Sequence, residues 1–221
     1  GFIDGLPGVE NGQAVKSDEL ENFEVGVKTS LLDNRFTLNA AAYRINWEGL
    51  PVNITPPCQF AVVLNAGKST SEGVELETQA RLTEQLTMNF SASYNDAVLS
   101  EDVPTGGFGS KGDNLPGSAS FNASWGLEYH FTLGGYNTFV RGDYAYISEF
   151  YNNLAETGEA AGGYSQVNLK VGVTLNQFDI DVSINNLTNA DNFTWVESLY
   201  GPLGSQRAYR LRPRTLGMNL S

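Results

Sequence analysis

The sequence predicts an all-β protein, an antiparallel up-and-down meander of about nine strands. Three observations carry this. Apolar side chains recur at every second position through most of the chain, the period of a two-faced sheet. The intervening positions are mostly Ser, Thr, Asn and Gly, with scattered charges. The connections between alternating stretches are short and long by turns. No stretch repeats with the 3.6-residue period of a helix.

The first strand runs from about Leu20 to Leu32, with Phe23, Val25, Val27, Thr29 and Leu31 on one face against Glu24, Gly26, Lys28 and Ser30. The second, about Arg35 to Val52, changes parity: Phe36 and Leu38 share one face, and Tyr43, Ile45 and Trp47 the other, so a β-bulge is expected between them. The third is long, about Phe60 to Leu82, and its second half alternates Val74, Leu76, Thr78 and Ala80 with Glu75, Glu77, Gln79 and Arg81. The fourth sets Met88, Phe90, Ala92 and Tyr94 against Asn89, Ser91, Ser93 and Asn95. In the fifth, Phe121, Ala123, Trp125, Leu127 and Tyr129 oppose Asn122, Ser124, Gly126 and Glu128. The sixth, about Tyr136 to Phe150, has Val140, Tyr144 and Tyr146 opposite Arg141 and Asp143. Val167 to Leu175 and Phe178 to Asn185 supply the seventh and eighth, and Leu216, Met218 and Leu220 mark the ninth.

Short turns fall at Asp33-Asn34, Thr83 to Gln85, Thr132 to Gly135 and Asn176-Gln177; long connections span about 53–60, 97–117, 151–163 and 187–206. Short turns on one side and long loops on the other are the build of an outer-membrane barrel, whose strands put apolar residues toward lipid and polar ones toward the lumen. Aromatic side chains sit near strand ends as girdles require: Phe36, Tyr129, Phe131, Tyr136 and Phe178 near the short turns, and Trp47, Tyr94, Tyr144 and Tyr146 toward the long loops. A soluble β-sandwich also alternates, but its solvent face commonly carries Lys and Glu, whereas here that face is hydroxyl, amide and glycine.

Composition narrows the function classes. The 221 residues include 25 acidic and 13 basic side chains, for a net charge of −12, one Cys and one His. The acidic balance argues against nucleic-acid binding. A single Cys excludes a disulfide framework within the chain and a Cys-based zinc site. The longest apolar run, Phe60 to Leu64, is far below the roughly 20 residues of a helical span, and no signal peptide is visible at the start. The Gly-rich stretch Thr105 to Gly112 lacks the strand-to-helix context and Lys placement of a phosphate loop and reads as a mobile outer loop. No nucleophile–base pair marks an enzyme, and no cofactor is implied.

Specific segments extend the reading. Glu21 to Lys28 resembles the NYELGLK strand of the TonB-dependent outer-membrane receptors, and Leu38 to Tyr43 with Ile45-Asn46-Trp47 resembles their LNAAAFYIDW strand. Asn65-Ala66-Gly67-Lys68 followed by Ser71-Glu72-Gly73-Val74-Glu75-Leu76-Glu77 is similar to NAGKA-SKGVELE, the most specific match. Asn185-Asn186-Leu187-Thr188-Asn189 resembles RNLTD, and Pro213-Arg214-Thr215-Leu216-Gly217-Met218-Asn219-Leu220 resembles the closing PRTFGLSLSYRF. Together the motifs cover essentially the whole chain in family order.

The resemblance implies that residues 1–221 are the C-terminal part of a transmembrane barrel of about 22 strands with a plugged lumen. The plug and first strands would lie elsewhere, and nine crossings, an odd number, fit a fragment. It also implies about two to four further residues at the C-terminus, given strands of about 9–11 residues. The implied function is TonB-dependent uptake of a scarce nutrient across the bacterial outer membrane, ferric siderophore first, with oligosaccharide, vitamin and heme as alternatives. A passive porin-like channel and a soluble β-rich binding module are the competing classes. The implied partners are outer-membrane lipid and lipopolysaccharide, the plug of the same protein, the TonB–ExbB–ExbD complex and the nutrient ligand.

Among individual residues, the loop aromatics Phe108, Tyr151, Phe193, Trp195 and Tyr200 are candidates for stacking on a ligand; girdle or loop packing is the alternative for each. Arg207 and Arg210, with Arg212 and Arg214, form the one basic cluster. It either attracts an anionic chelate or pairs with nearby acids or lipopolysaccharide phosphate. Acidic loop residues such as Asp96, Glu101, Asp102, Asp113, Glu156 and Glu159 disfavour strongly anionic ligands. Glu75, Glu77 and Arg81, like Asp179 and Asp181, are expected in a lumen-facing charge network, and His130 near the short-turn rim without a partner cluster. Cys58 either bonds a cysteine elsewhere in the protein or stays a free thiol. Asn65, Gly67, Gly73, Glu75, Glu77, Asn186, Pro213, Arg214 and Gly217 are family-motif positions with expected structural roles.

Overall fold

The computed structural model describes residues 15–54, 62–65, 67–103, 109–154, 156, 158–198 and 206–221. The described strands are β1 (Glu19–Leu31), β2 (Phe36–Glu48), β3 (Pro51–Ile54), β4 (Val62–Asn65), β5 (Lys68–Arg81), β6 (Leu86–Leu99), β7 (Phe121–Leu133), β8 (Tyr136–Ile147), β9 (Tyr164–Leu175), β10 (Phe178–Asn185), β11 (Phe193–Ser198), β12 (Gln206–Arg210) and β13 (Thr215–Leu220). Nine form one antiparallel sheet in the order β1-β2-β5-β6-β7-β8-β9-β10-β13, and the other four make the hairpins β3–β4 and β11–β12. Successive strands are neighbours wherever no hairpin intervenes, so the sheet is the expected meander.

The tight turns follow from residues that tolerate positive φ. Between β7 and β8, Gly134 and Gly135 both have positive φ, 60° and 88°, the backbone of the two-residue turn whose twist matches its strands. Between β1 and β2, Asp33 and Asn34 take the left-handed region, the Arg35 N–H donates to the Leu32 carbonyl at 3.1 Å, and the Ser30 hydroxyl donates to Asn34 Oδ1 at 2.8 Å.

Register decides which side chains share a face. Phe23, Val25 and Val27 lie opposite Arg44, Ala42 and Ala40, which lie opposite Glu72, Val74 and Leu76. The series continues through Tyr94 and Ala92, then Phe121 and Ala123, then Tyr146, Tyr144 and Val140, then Val167 and Val171, Val182, and Met218. Apart from the Arg44–Glu72 ion pair, this outer face is apolar and open: Phe23 is 61% and Val25 73% exposed among the described residues. Trp125 meets Tyr144 at 6.1 Å, Phe121 meets Tyr146 at 6.2 Å, and Tyr129 stacks on Phe131 at 5.7 Å, so aromatic pairs occupy both ends of the face. The inner face carries Glu75, Glu77, Ser91, Ser93, Asn122, Ser124, Arg141, Asp143, Lys170 and Asp181.

Four sequence expectations need correction. The register of β2 with β1 runs unbroken from Glu19↔Glu48 to Leu31↔Phe36, and that with β5 is equally regular, so there is no bulge. Tyr43, Ile45 and Trp47 are inner-face residues, and Trp47 is therefore no part of the outer aromatic girdle. The second and third strands are also shorter than expected. Gly49 (φ 72°) and Gly67 (φ 80°) turn the chain away from the sheet, both Gly49 and Leu50 amides donate to the Gly67 carbonyl, and the segments beyond pair as β3–β4. The connection at about 187–206 likewise holds a strand, β11, which pairs with β12.

Two clusters of buried apolar side chains lie at the long-loop end. Leu50, Leu99, Val103 and Leu154 form one cluster, with Trp47 and Leu115 against it; Ala119, Phe150, Ala161 and Val196 form another, flanked by Ile147 and Phe193. Gly109 packs within the first, where an added Cβ would lie 2.9–3.1 Å from Leu99, Val103 and Leu154. The described end of the Gly-rich stretch is therefore a packed turn and not a loose loop; its Ser110 and Lys111 amides donate to Asp113 and Asp102.

Candidate functional site

At the long-loop end of the inner face, residues of β1, β2, β5, β6, β7 and β8 and the segment 115–119 line an open hollow of about 590 Å3. Its aromatic wall is a consequence of β2. Tyr43 stands directly across from Gly73 of β5, and an added Cβ there would collide with the Tyr43 hydroxyl and the Tyr94 carbonyl. Glycine at 73 therefore lets the tyrosine ring lie along the sheet, with its phenol donating to Asn95 Oδ1 at 3.1 Å. Ser71 donates to the same oxygen at 2.6 Å, and Asn95 Nδ2 donates to Ser118 at 2.9 Å. The Trp47 indole N–H is taken by Asp18 at 2.7 Å. Leu20, Ile45, Leu115, Ile147 and Phe150 add apolar lining, and Glu75 is the one charged side chain among the described residues there.

Toward the short turns the inner face becomes ionic. Arg141 of β8 donates from Nε to both Asp143 oxygens (3.0 and 2.9 Å) and from Nη1 to Glu128 of β7 at 3.4 Å. Glu128 Oε1 also holds His130 Nε2 at 2.8 Å, and Lys170 of β9 pairs with Asp181 of β10 at 3.3 Å. His130 thus has a partner cluster, against expectation. Glu128 and His130 share a face by parity, as do Arg141 and Asp143, but only the β7–β8 register joins the two pairs. Glycine again makes room: a Cβ on Gly126 would meet Asp143 Oδ1 at 2.7 Å, and one on Gly172 would meet the Phe139 ring at 2.2 Å. Of the expected lumenal acids, Glu77 receives Asn39 at 3.4 Å and Asp179 receives Thr174 at 2.7 Å; Glu75 has no hydrogen-bond or ion-pair partner among the described residues. All these charges are partly exposed, so each pair contributes about 0–1 kcal/mol to stability and acts chiefly to fix side-chain positions.

Four of the candidate ligand residues come together on the β11–β12 hairpin. Phe193 lies opposite Arg210, whose guanidinium stacks 4.5 Å from its ring centroid and pairs with Asp191 at 2.7 Å. Arg207 pairs with Glu197 across the hairpin, and this hydrogen bond raises the guanidinium pKa further. Both arginines are thereby neutralised within the loop. Trp195 lies opposite Tyr209, both rings are exposed, and Arg207 lies 5.7 Å from the Tyr209 ring. Tyr209 is the one aromatic of this pair that sequence reasoning passed over. Tyr151 lies beside them, its carbonyl accepting from the Gly117 amide at 2.7 Å, with Trp195 3.5 Å from the Cβ position of Gly117. Phe108, Tyr200 and Cys58 lie outside the described residues.

The motif residues are fasteners. Asn186 is 1% exposed at φ 53°; its Nδ2 donates to the Ala190 and Arg212 carbonyls, both at 2.9 Å, and its Oδ1 accepts from the Ala190 amide at 2.8 Å. Asn189 Oδ1 accepts from the Arg214 amide at 2.9 Å, Arg214 Nη1 donates to the Leu187 carbonyl at 3.3 Å, and the Pro213 carbonyl accepts from Thr215 at 2.9 Å. Gly217 faces Ser183, whose Oγ would lie 2.9 Å from an added Cβ. Together they tie the end of β10 to the start of β13. Asn65 does the same for β4, donating to the Gly49 carbonyl at 2.6 Å and accepting from the Lys16 amide at 2.8 Å.

Comparison with known proteins gives a consistent result. A family model described as TonB dependent receptor-like, beta-barrel matches residues 4–187. The probable TonB-dependent siderophore receptor PiuA of Acinetobacter baumannii is 24% identical over 196 residues, covering 83% of this chain and 25% of that protein. The metal-pseudopaline receptor CntO of Pseudomonas aeruginosa is 26% identical over 178 residues, covering 80% and 24%. Among solved structures, the ferric yersiniabactin uptake receptor FyuA of Yersinia pestis superposes with a TM-score of 0.75 at 19% identity, over 92% of this chain and 29% of its own. The chain spans about a quarter of the length of the curated relatives it matches.

Proposed function

The chain belongs to the TonB-dependent receptors, as part of their outer-membrane β-barrel, and from that premise we propose that it is wall and outer loops of a receptor for TonB-dependent uptake of a metal chelate, ferric siderophore foremost. The observation that carries the reading is the two-faced meander: an outer face that is apolar over nine strands apart from the Arg44–Glu72 pair toward the loop end, and an inner face of hydroxyls, amides and ion pairs with a ligand-sized hollow at its loop end. The printed names of PiuA and CntO, a siderophore receptor and a metal-pseudopaline receptor, support the substrate class.

In this reading residues 1–221 are the C-terminal part of the barrel, and a plug in the rest of the protein faces the ionic zone around Arg141. TonB with ExbB and ExbD acts through that plug, while lipid and lipopolysaccharide cover the outer face. The ligand meets the loop end first, near Trp195, Tyr209 and the cavity.

The test is uptake of iron-55 chelates by iron-starved cells carrying the full-length gene, its deletion, and its intact form in a strain without TonB. Accumulation that requires both the gene and TonB is expected. Gene-dependent accumulation that persists without TonB would make the protein a passive channel.

A further inference from the structure

The inner face changes character from strand to strand, and β6 stands apart. Its lumenal side chains, Thr87, Asn89, Ser91, Ser93 and Asn95, carry no charge from the short-turn end to the loop end. Asn122 and Ser124 of β7 lie directly across from Ser93 and Ser91 and widen this uncharged strip over its upper half. Its flanks are charged: Glu75, Glu77 and Arg81 on β5, and Arg141 and Asp143 on β8. The inner faces of β2 and β13 also lack charge, but each is engaged by a neighbour. On β2 the Tyr43 ring lies along the sheet and Asn39 donates to Glu77 at 3.4 Å; on β13, Asn219 donates to Asp181 at 3.4 Å.

Space runs along the strip. The open hollow of about 590 Å3 at the loop end continues into a second of about 400 Å3, the two sharing Glu75, Ser93 and Asn122, and Ser91, Ser124 and Ala145 line the second. Ser91 and Ser124 share a hydrogen bond of 2.8 Å, whereas the side chains of Asn89, Ser93 and Asn122 have no partner among the described residues.

In the proposed receptor a plug fills the lumen and must part from some wall before a chelate passes. Where the plug meets hydroxyls and amides, each hydrogen bond broken is replaced by one to water, so separation costs little. Where it meets a charged group, the bonds are stronger and costlier to release. A passing ligand is subject to the same rule. A fixed charge holds it or repels it, whereas an uncharged hydroxyl and amide surface lets it go, and conduction needs sites that release what they bind.

We propose that Asn89, Ser91 and Ser93 of β6, with Asn122 and Ser124 of β7, form the wall along which the metal chelate crosses the barrel, between this wall and the plug, once TonB acts. The inference rests on the uptake reading above and adds the route to it.

The experiment uses iron-starved cells carrying the full-length receptor, with the iron-55 complexes of a tris-catecholate, a tris-hydroxamate and a phenolate chelator as probes. Surface binding is measured in de-energised cells and uptake in energised ones. The proteins are wild type, Ser91→Trp, Ser124→Trp and, on β13, Asn219→Trp, each shown to be folded by heat-modifiable migration. For each probe that wild type accumulates, Ser91→Trp and Ser124→Trp should bind within about twofold of wild type yet cut uptake about tenfold or more, because an indole narrows the route itself. Asn219→Trp should keep uptake within about twofold, since the route does not pass it. Should a tryptophan variant fail to assemble, Ser91→Cys and Ser124→Cys in a cysteine-free receptor carry the test. Their labelling by a bulky water-soluble maleimide should rise about fivefold or more in energised cells that contain TonB, as a shift of population toward the parted wall requires, with Asn219→Cys unchanged. Full uptake by folded Ser91→Trp and Ser124→Trp, an equal loss in Asn219→Trp, or labelling of Ser91→Cys and Ser124→Cys that is indifferent to TonB overturns this inference and leaves the uptake reading standing. Accumulation of none of the three probes by wild type, or accumulation without TonB, overturns the uptake reading and this inference with it.

Discussion

Replacing Asn186 by alanine opens the fastening between β10 and β13. The side chain makes three hydrogen bonds of 2.8–2.9 Å to the Ala190 amide and the Ala190 and Arg212 carbonyls, and the residue is 1% exposed. At about 1 kcal/mol net for each bond, the loss is about 3 kcal/mol. Alanine at φ 53° adds about 1 kcal/mol of left-handed strain. Arg212 is exposed, so its carbonyl regains water and returns part of the loss. About 3 kcal/mol therefore remains, which corresponds to roughly a hundredfold in a local opening equilibrium at 1.4 kcal/mol per tenfold. Hydrogen exchange of the full-length receptor, read by mass spectrometry on peptides spanning 186–192, should show protection falling by about that factor, while peptides of β6 and β7 are unchanged. Asn186→Gly removes the same bonds without the strain and should lose about fivefold less protection, the equivalent of about 1 kcal/mol. Unaltered protection in Asn186→Ala would refute the clamp, and equal losses for alanine and glycine would refute the contribution of backbone strain.

Gly73→Ala drives a methyl into the Tyr43 hydroxyl and the Tyr94 carbonyl, so it should destabilise the receptor by about 1–3 kcal/mol; thermal midpoints should show Tyr43→Ala relieving part of this in the double variant. Val25→Lys places a charge on the apolar outer face and should cost about 2–4 kcal/mol near mid-membrane, read as lost heat-modifiable receptor in outer-membrane fractions, whereas Asn39→Lys on the inner face should assemble normally. Arg141→Met leaves Asp143 and Glu128 without their shared cation, yet the site is partly exposed and the change should lower stability by only about 1 kcal/mol or less. The isolated 221-residue chain has β1 and β13 as unpaired sheet edges, which lipid does not tolerate, so it should give no protease-resistant species in liposomes.

The strands were legible because period-2 alternation survives averaging: the registers of β5 to β10 place every expected apolar residue on one face. The bulge in β2 was a misreading with a physical origin. Tyr43, Ile45 and Trp47 are apolar, and their parity pointed them at lipid by rule, yet they line a cavity on the polar side. A sequence pattern reports hydrophobicity and not which of two sides uses it. Hairpins β3–β4 and β11–β12 were hidden in what read as loops, because a four- to six-residue strand standing off the sheet has no lipid face to alternate against. The pairing of Arg207 with Glu197 and of Arg210 with Asp191 depends on the register of β11 with β12, which spacing alone does not specify. His130 shows the same limit, since its partnership with Arg141 through Glu128 exists only once β7 and β8 are aligned.

The uptake function depends most directly on the two-faced build of the sheet. Spin labels placed one at a time at positions 72–80 of β5 in the full-length receptor, reconstituted in bilayers, test it directly through accessibility to dissolved oxygen and to a water-soluble nickel complex. Labels at Val74, Leu76 and Thr78 should be reached by oxygen and shielded from nickel, while labels at Glu75, Glu77 and Gln79 should not be enriched in oxygen. Oxygen exposure in the opposite phase, or with no period of two, would contradict it.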